Sequence, residues 1–167
     1  VPYVLKQVNA PLYATRLTIG LVEHKLKEHN LLSSVKLVRA KYGNVINAGQ
    51  NFSVEFVRTN HSIADSAALA IKTPVGTVIH MGDFKIDTTP IVGDMIDLAR
   101  LGELGKEGVL AVLSDSTNVE RPGYAMSERR VGEKFEQIFK GCNKRIIVAT
   151  FASNVHRVQQ IIDAAAK

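Results

Sequence analysis

The sequence predicts an α/β protein that is strand-rich and partly antiparallel up to about residue 85 and then alternates helices with strands. Two observations predict this class. Apolar residues alternate with a period of two in the first half, and they recur at helical spacing in the last third. The composition, 46% hydrophobic and 22% charged among 167 residues, suits one domain with a sizeable core.

In the first half, a helix is predicted over residues 15–29, where apolar side chains share one face. An alternating strand is predicted at 35–40, followed by a turn at 42–44. A hairpin is predicted from the apolar runs 67–73 and 77–81, because a Pro-Val-Gly turn separates them.

Between these elements, residues 52–58 alternate like a strand with one face turned inward. Val57 is the one apolar residue expected on the outer face. The inward side chains are expected to be Phe52, Val54 and Phe56.

In the second half, a short helix is predicted over 95–101, and the apolar runs 109–113 and 146–151 are predicted as strands buried on both faces. Ser127 is predicted to cap one helix, and another is predicted to begin near Ser153. The side chains that these last two helices should bury are Val131, Phe135, Ile138 and Phe139 in the first, and Val155, Val158, Ile161 and Ile162 in the second.

The formal net charge of +5 is carried by residues 121–167, because acidic and basic residues balance in 1–120. On charge alone, this segment is interpreted as a solvated helix face with mixed ion pairs, and a surface that faces a polyanion is the alternative. No apolar run reaches the roughly 20 residues of a membrane span. A single cysteine, Cys142, excludes an internal disulfide framework, favours a cytoplasmic location, and is interpreted as a buried or half-buried apolar residue.

His61 and Asp83 are the sharpest candidates for chemistry, since each follows a predicted strand within a small polar cluster. Imidazole and carboxylate are ordinary ligands of zinc and manganese. Two ligands do not complete a metal site, so a capping or turn role stays open for both residues.

The start of the last helix is the second candidate site. A helix N-terminus offers free N–H groups and partial positive charge to a phosphate, although Ser153 or Asn154 could serve only as a cap. The residues that would contact a phosphate there are Ser153, Asn154, His156 and Arg157. Ser116 and Thr117 are rejected as a hydrolase nucleophile, because no Gly-x-Ser-x-Gly turn surrounds them.

Three strings in order, 60–66 (NHSIADS), 82–85 (GDFK) and 114–118 (SDSTN), resemble those of the ribonuclease J family, which has a metallo-β-lactamase fold with a β-CASP insertion. The resemblance covers essentially the whole chain. It implies a partial metallo-β-lactamase αββα sandwich over 1–120 and the start of a β-CASP α/β domain over 121–167.

The resemblance also implies site roles. His61 would be a metal ligand, Asp83 the carboxylate bridging two metals, and Asp115 an acidic residue beside the catalytic cleft, with Asp83 and Asp115 the catalytic residues. It implies two zinc ions, with manganese possible, and an RNA substrate cut by 5′-to-3′ exonuclease and endonuclease activity. The residues that it implies for RNA binding are Ser153, Asn154, His156 and Arg157. A homodimer or homotetramer is expected for the full-length protein, with no membrane association.

The sequence departs from the family pattern in ways that limit these expectations. The motif H-x-H-x-D-H and the final histidine ligand are absent, and Ala64 stands where proline is common. With no initiator Met before Val1, we expect an internal segment that by itself binds metal weakly and is inactive. A metallo-β-lactamase-fold hydrolase of a small ester or thioester, or a non-catalytic binding domain, remain alternatives.

Overall fold

The computed structural model describes residues 1–167 as seven strands and five α-helices, with one short 3-10 turn at Leu32–Ser34. None of the helices is long and apolar enough to cross a membrane. The strands are β1 (Leu12–Ala14), β2 (Leu37–Arg39), β3 (Val45–Ala48), β4 (Phe52–Arg58), β5 (Ala67–Thr73), β6 (Gly76–His80) and β7 (Ala111–Leu113). The helices are α1 (Pro2–Leu5), α2 (Arg16–Glu28), α3 (Leu98–Glu107), α4 (Arg129–Phe139) and α5 (Val155–Ala165).

The main sheet has five strands in the order β3-β4-β5-β6-β7, antiparallel as far as β6 and parallel between β6 and β7. A separate pair, β1 and β2, is parallel. This mixed α/β architecture confirms the predicted fold class, a partial metallo-β-lactamase and β-CASP fold. Because β4, β6 and β7 run in the same direction, their carboxyl ends meet at one edge of the sheet.

Strand β4 has the predicted bounds, but the assignment of its faces was only partly right. Phe56 is buried as expected, whereas Phe52, at the open start of the strand, is 49% exposed. Val57, expected outside, is 2% exposed and belongs to the core. Both faces of β4 are therefore covered, which a strict inside–outside alternation does not anticipate.

The core cluster joins β4, β5 and β6 to α3 through Val57, Ala68, Ala70, Ile79, Met81, Ile96 and Leu104. Helix α3 begins at Leu98, later than the predicted start at residue 95. Asp97 determines this boundary, because its side chain accepts a hydrogen bond from the Arg100 N–H at 2.9 Å and caps the helix.

Two predictions of doubly buried strands were wrong. Strand β7 forms beside β6, but it is an edge strand and its Val112 is 56% exposed. Residues 146–151 form no strand, and Ile147 is 87% exposed. A strand needs a neighbour that accepts its backbone hydrogen bonds, and no strand of this chain lies beside that run.

Helices α4 and α5 form near their predicted positions and contact each other. Their apolar faces are less buried than expected: Ile138 is 64% exposed and Ile162 is 55% exposed. Cys142 is exposed, so its interpretation as a buried or half-buried residue was also wrong. These residues lack cover because α4 and α5 are mainly packed on each other.

Candidate metal and RNA-binding site

Three predicted site residues lie at the same edge of the main sheet. His61 follows β4, Asp83 follows β6 and Asp115 follows β7, each two or three residues beyond the end of its strand. Since these strands run in the same direction, the order of the sheet accounts for their convergence. Loops beyond strand ends commonly carry functional side chains on a rigid scaffold.

His61 and Asp83 are brought together: Nε2 of His61 lies 3.8 Å from Oδ2 of Asp83. A hydrogen bond of 2.8 Å from the Lys85 N–H to the Asn60 carbonyl joins the two loops next to this pair. Gly82 adopts a left-handed backbone with φ of 62°, and its N–H donates to Nδ1 of His80. The His80 ring therefore accepts a hydrogen bond from the backbone of the turn that carries Asp83.

The loop that carries His61 is also held at its other end. Asp65 has a positive φ of 58°, and its Oδ2 accepts a hydrogen bond from the N–H of Leu17, in the first turn of α2. The Thr15 hydroxyl donates to the Asp65 carbonyl at 2.8 Å. The start of α2 therefore fixes the shape of the His61 loop, a use of Asp65 that the sequence analysis did not identify.

The His61–Asp83 geometry fits a shared metal ion. Ligand–zinc distances of about 2.0–2.2 Å allow one ion to touch two donors 3.8 Å apart. The donor chemistry, imidazole and carboxylate, suits zinc and manganese. No group of three or more His, Cys, Asp or Glu side chains converges as a metal site in this chain. These two residues could thus hold a metal only together with further ligands.

Asp115 is an ionised acceptor at the same edge. Its Oδ1 accepts hydrogen bonds from the hydroxyl of Thr117 at 2.6 Å and from the N–H of Thr117 at 2.9 Å. These bonds, with a smaller effect of nearby His61, hold the pKa of Asp115 below its usual range. The carboxylate therefore stays negatively charged near the candidate metal pair.

A cleft of about 270 Å³ adjoins His61 and brings residues distant in the sequence together. Its polar lining includes His61, Asp65, Asp87, Glu128 and His156. Tyr42 also lines it, where burial and the negative charge of Asp65 raise the pKa of the phenol to about 12. The start of α5, which is predicted to bind a phosphate, therefore lines the same cleft as His61, the candidate metal ligand.

Four charged side chains form an ion-pair network beside this cleft, which we call the Lys85 cluster: Lys85, Asp87, Glu128 and Arg157. The Lys85 ammonium lies 3.0 Å from Oε1 of Glu128 and 3.6 Å from Oδ2 of Asp87. Arg157 donates to the other Glu128 oxygen at 2.8 Å. The cluster links the loop after β6 to the starts of α4 and α5.

The two acids of the cluster are ionised despite their surroundings. Burial raises the pKa of Glu128, but hydrogen bonds from Arg157 and Lys85 outweigh it, so the pKa lies below the usual value. For Asp87, burial is likewise outweighed by backbone N–H donors, including those of Thr89 and Glu128, and by the charge of Lys85. The sequence analysis singled out neither Glu128 nor Asp87. Opposite charge was the only signal for this pairing in the sequence, and such charges could pair in many ways.

The four predicted RNA-binding residues have different surroundings. Asn154 is 4% exposed and caps α5, its Oδ1 accepting from the Arg157 N–H at 3.2 Å. The Arg157 guanidinium is engaged by Glu128. Ser153 is half-buried, and His156 is half-buried in the wall of the cleft. A capping role is therefore present at Asn154, and phosphate contact remains a prediction for this group.

The mixed sheet and its helices are those of an α/β protein of the metallo-β-lactamase and β-CASP class. A crystal structure of a protein of unknown function from Enterococcus faecalis V583 has the same fold, with a TM-score of 0.67 and 17% identity, over 92% of this chain and 39% of that one. The sequence model of the family described as "Ribonuclease J, beta-CASP domain" matches residues 143–167.

Several curated proteins are similar to this chain over nearly its whole length. The chain is 46% identical to ribonuclease J of Synechocystis over 100% of its length, and 40% identical to that of Thermus thermophilus over 97%. It is 41% identical to ribonuclease J2 of Bacillus subtilis over 99%. The chain is similar to these ribonuclease J proteins over nearly all of its own length, and it spans 26%, 28% and 30% of the lengths of the three relatives.

Proposed function

We propose that the full-length protein carrying this chain is a metal-dependent ribonuclease that hydrolyses RNA phosphodiesters in RNA maturation and decay. The observation that carries the proposal is the 3.8 Å approach of His61 to Asp83 at the sheet edge of a chain so similar to ribonuclease J. In finer detail, the proposed activity combines 5′-to-3′ exonuclease and endonuclease cleavage. The proposed setting is a cytoplasmic homodimer or homotetramer.

Under this proposal, His61 and Asp83 would help to hold two zinc ions, or two manganese ions, together with ligands from the rest of the full-length protein. When bound, such ions supply Lewis acidity and lower the pKa of water in the site. Asp115, kept ionised by Thr117, adds negative charge beside them. The backbone bond between Asn60 and Lys85 keeps the two ligand loops in register without a metal.

The RNA would enter through the cleft between His61 and the start of α5. His156 faces this cleft, and the N-terminus of α5 adds partial positive charge for a phosphate. Residues 121–167 also carry exposed cations that would attract the RNA backbone: Lys140, Lys144 and Arg145. The positions of the metal-ligand candidates and of these basic residues support the proposed division into a metal-binding part at 1–120 and an RNA-binding part from 121.

The test uses the full-length protein and its Asp83→Ala variant on 5′-monophosphorylated RNA. The matched control is Asp163→Ala, which removes an exposed carboxylate from α5. We expect Asp83→Ala to lower the cleavage rate by at least about 100-fold, since an essential metal ligand is lost, and the control to cleave normally. Equal rates for wild type and Asp83→Ala would contradict the proposal.

A further inference from the structure

The Lys85 side chain is only 14% exposed, and its partners Asp87 and Glu128 are 3% and 17% exposed. Charges this far from water persist only when they are paired and hydrogen-bonded. The cluster satisfies this requirement closely, because Lys85 also donates to the Met126 carbonyl at 3.2 Å. Lys85 is therefore held from several sides and has little rotational freedom.

The backbone of Lys85 makes a second contact, with the loop that carries His61. Its N–H donates to the Asn60 carbonyl at 2.8 Å, immediately before His61, and Asp83 lies two residues upstream. A displacement of Lys85 would therefore move both members of the candidate metal pair relative to each other. Its side-chain contacts and its backbone contact constrain one short segment together.

Glu128 extends these constraints to α4 and α5. Its N–H donates to Oδ2 of Asp87 at 3.2 Å, and its carboxylate accepts from both Lys85 and Arg157. Its carbonyl accepts from Nε2 of Gln160 on α5. One residue at the start of α4 thus contacts the loop after β6 and two positions on α5.

We propose that Lys85 is a positioning residue for the reaction: through Asn60 and Glu128 it sets the separation of His61 and Asp83 and couples that pair to the start of α5. This inference rests on the proposed function. Outer partners that orient metal ligands typically contribute 10- to 100-fold in metal affinity or activity. Lys85 does not line the cleft that would admit RNA, so its effect should fall on turnover rather than on substrate binding.

The chain offers a matched control for the loss of a lysine–glutamate pair. The Lys72 ammonium lies 3.0 Å from the Glu107 carboxylate, the same separation as between Lys85 and Glu128. The side chains of Lys72 and Glu107 are each 46% exposed, so this pair lies at the surface. Removing the Lys72 ammonium therefore deletes an equivalent bond far from the predicted site. A purely structural ion pair and a positioning one can be compared directly.

The experiment uses the full-length protein with the variants Lys85→Met, Lys85→Arg, Glu128→Gln and Lys72→Met. Cobalt(II) is added to metal-depleted protein, and its visible absorption spectrum reports ligand geometry independently of activity. We expect Lys85→Met and Glu128→Gln to alter the spectrum and to lower kcat about 10-fold or more with KM changed by less than about threefold. Lys85→Arg should recover most of the loss, and Lys72→Met should match wild type.

Wild-type spectra and kcat in Glu128→Gln and Lys85→Met, or effects equal to those of Lys72→Met, would overturn the inference. Should Lys85→Met fail to fold, Glu128→Gln decides in the same way, because it keeps the side-chain shape, removes the charge and replaces one of the two acceptor oxygens by an amide donor. Asp83→Ala, measured alongside, separates the two claims. A normal cleavage rate in that variant contradicts the proposed function, whereas an inactive Asp83→Ala beside a normal Glu128→Gln contradicts only the role of Lys85.

Discussion

Oδ2 of Asp83 lies 3.8 Å from Nε2 of His61, and the residue before Asp83 is Gly82 in a left-handed conformation with φ of 62°. The orientation of Asp83 therefore depends on a backbone shape that residues with a Cβ rarely adopt. A Cβ built at Gly82 would lie 3.6 Å from the Ala67 carbonyl, an ordinary contact, so the space itself is available.

Replacing Gly82 by alanine should destabilise the chain by about 1 kcal/mol through backbone strain alone. Gly105 provides the opposite case, because it lies inside α3 with open space around its Cα. Gly105→Ala should stabilise the chain by about 0.5–1 kcal/mol. Urea unfolding of both variants measures these changes, and a shift of the same sign in both would contradict the argument.

The Arg100–Glu55 pair predicts a larger loss of stability. Nε and Nη2 of Arg100 donate to the Glu55 carboxylate, at 2.8 and 2.9 Å, and the Glu55 side chain is 11% exposed. Arg100→Met would leave that carboxylate without its bidentate partner, at an expected cost of about 2–3 kcal/mol. Lys106→Met, which alters an exposed lysine of the same helix, should cost less than about 0.5 kcal/mol. Equal urea midpoints in the two variants would refute this role of Arg100.

The pH dependence of stability should depend on Glu128. Its pKa is lowered in the folded chain below the usual 4.5, so it binds protons less readily folded than unfolded. The stability that it contributes is present above pH 4.5 and is lost as the pH falls through the lower, folded value. Glu128→Gln should therefore flatten the decline of unfolding free energy below pH 5. A decline as steep as that of wild type would show that Glu128 does not contribute it.

His156 should affect RNA binding because it lines the cleft that contains His61. In the full-length protein with Asp83→Ala to prevent cleavage, His156→Ala should weaken RNA binding by about fivefold to tenfold, the value of one lost polar contact. His24→Ala removes an exposed histidine of α2 and serves as the control. Equal dissociation constants at one fixed salt concentration would rule out a contact by His156.

The sequence predicted the elements whose signals are local. The alternation in β4 and the Pro-Val-Gly turn between β5 and β6 gave nearly the observed bounds, since strands and turns reflect nearby residues. The burial of Val57 could not be predicted in this way, because it depends on α3 packing across the outer face of β4. The failed strand at 146–151 has the same origin, since pairing is a property of neighbours.

The candidate site was likewise predicted only in part from the sequence. His61 and Asp83 could be chosen because each follows a predicted strand, and Asp115 because its motif resembles one of the ribonuclease J family. The convergence of Lys85, Glu128 and Arg157 joins segments about 30 to 70 residues apart, where opposite charges could pair in many ways. Three-dimensional structure was required to select one pairing and to show that Arg157 is engaged.

The most direct measurement of the central claim is metal content. The full-length wild type, His61→Ala, Asp83→Ala and the control Asp163→Ala are purified identically, supplied with zinc or manganese, dialysed and analysed for bound metal. If His61 and Asp83 share a metal site, both single variants retain less metal than wild type, with the larger loss in Asp83→Ala, while the control retains all of it. Full wild-type metal content in both His61→Ala and Asp83→Ala would contradict the claim.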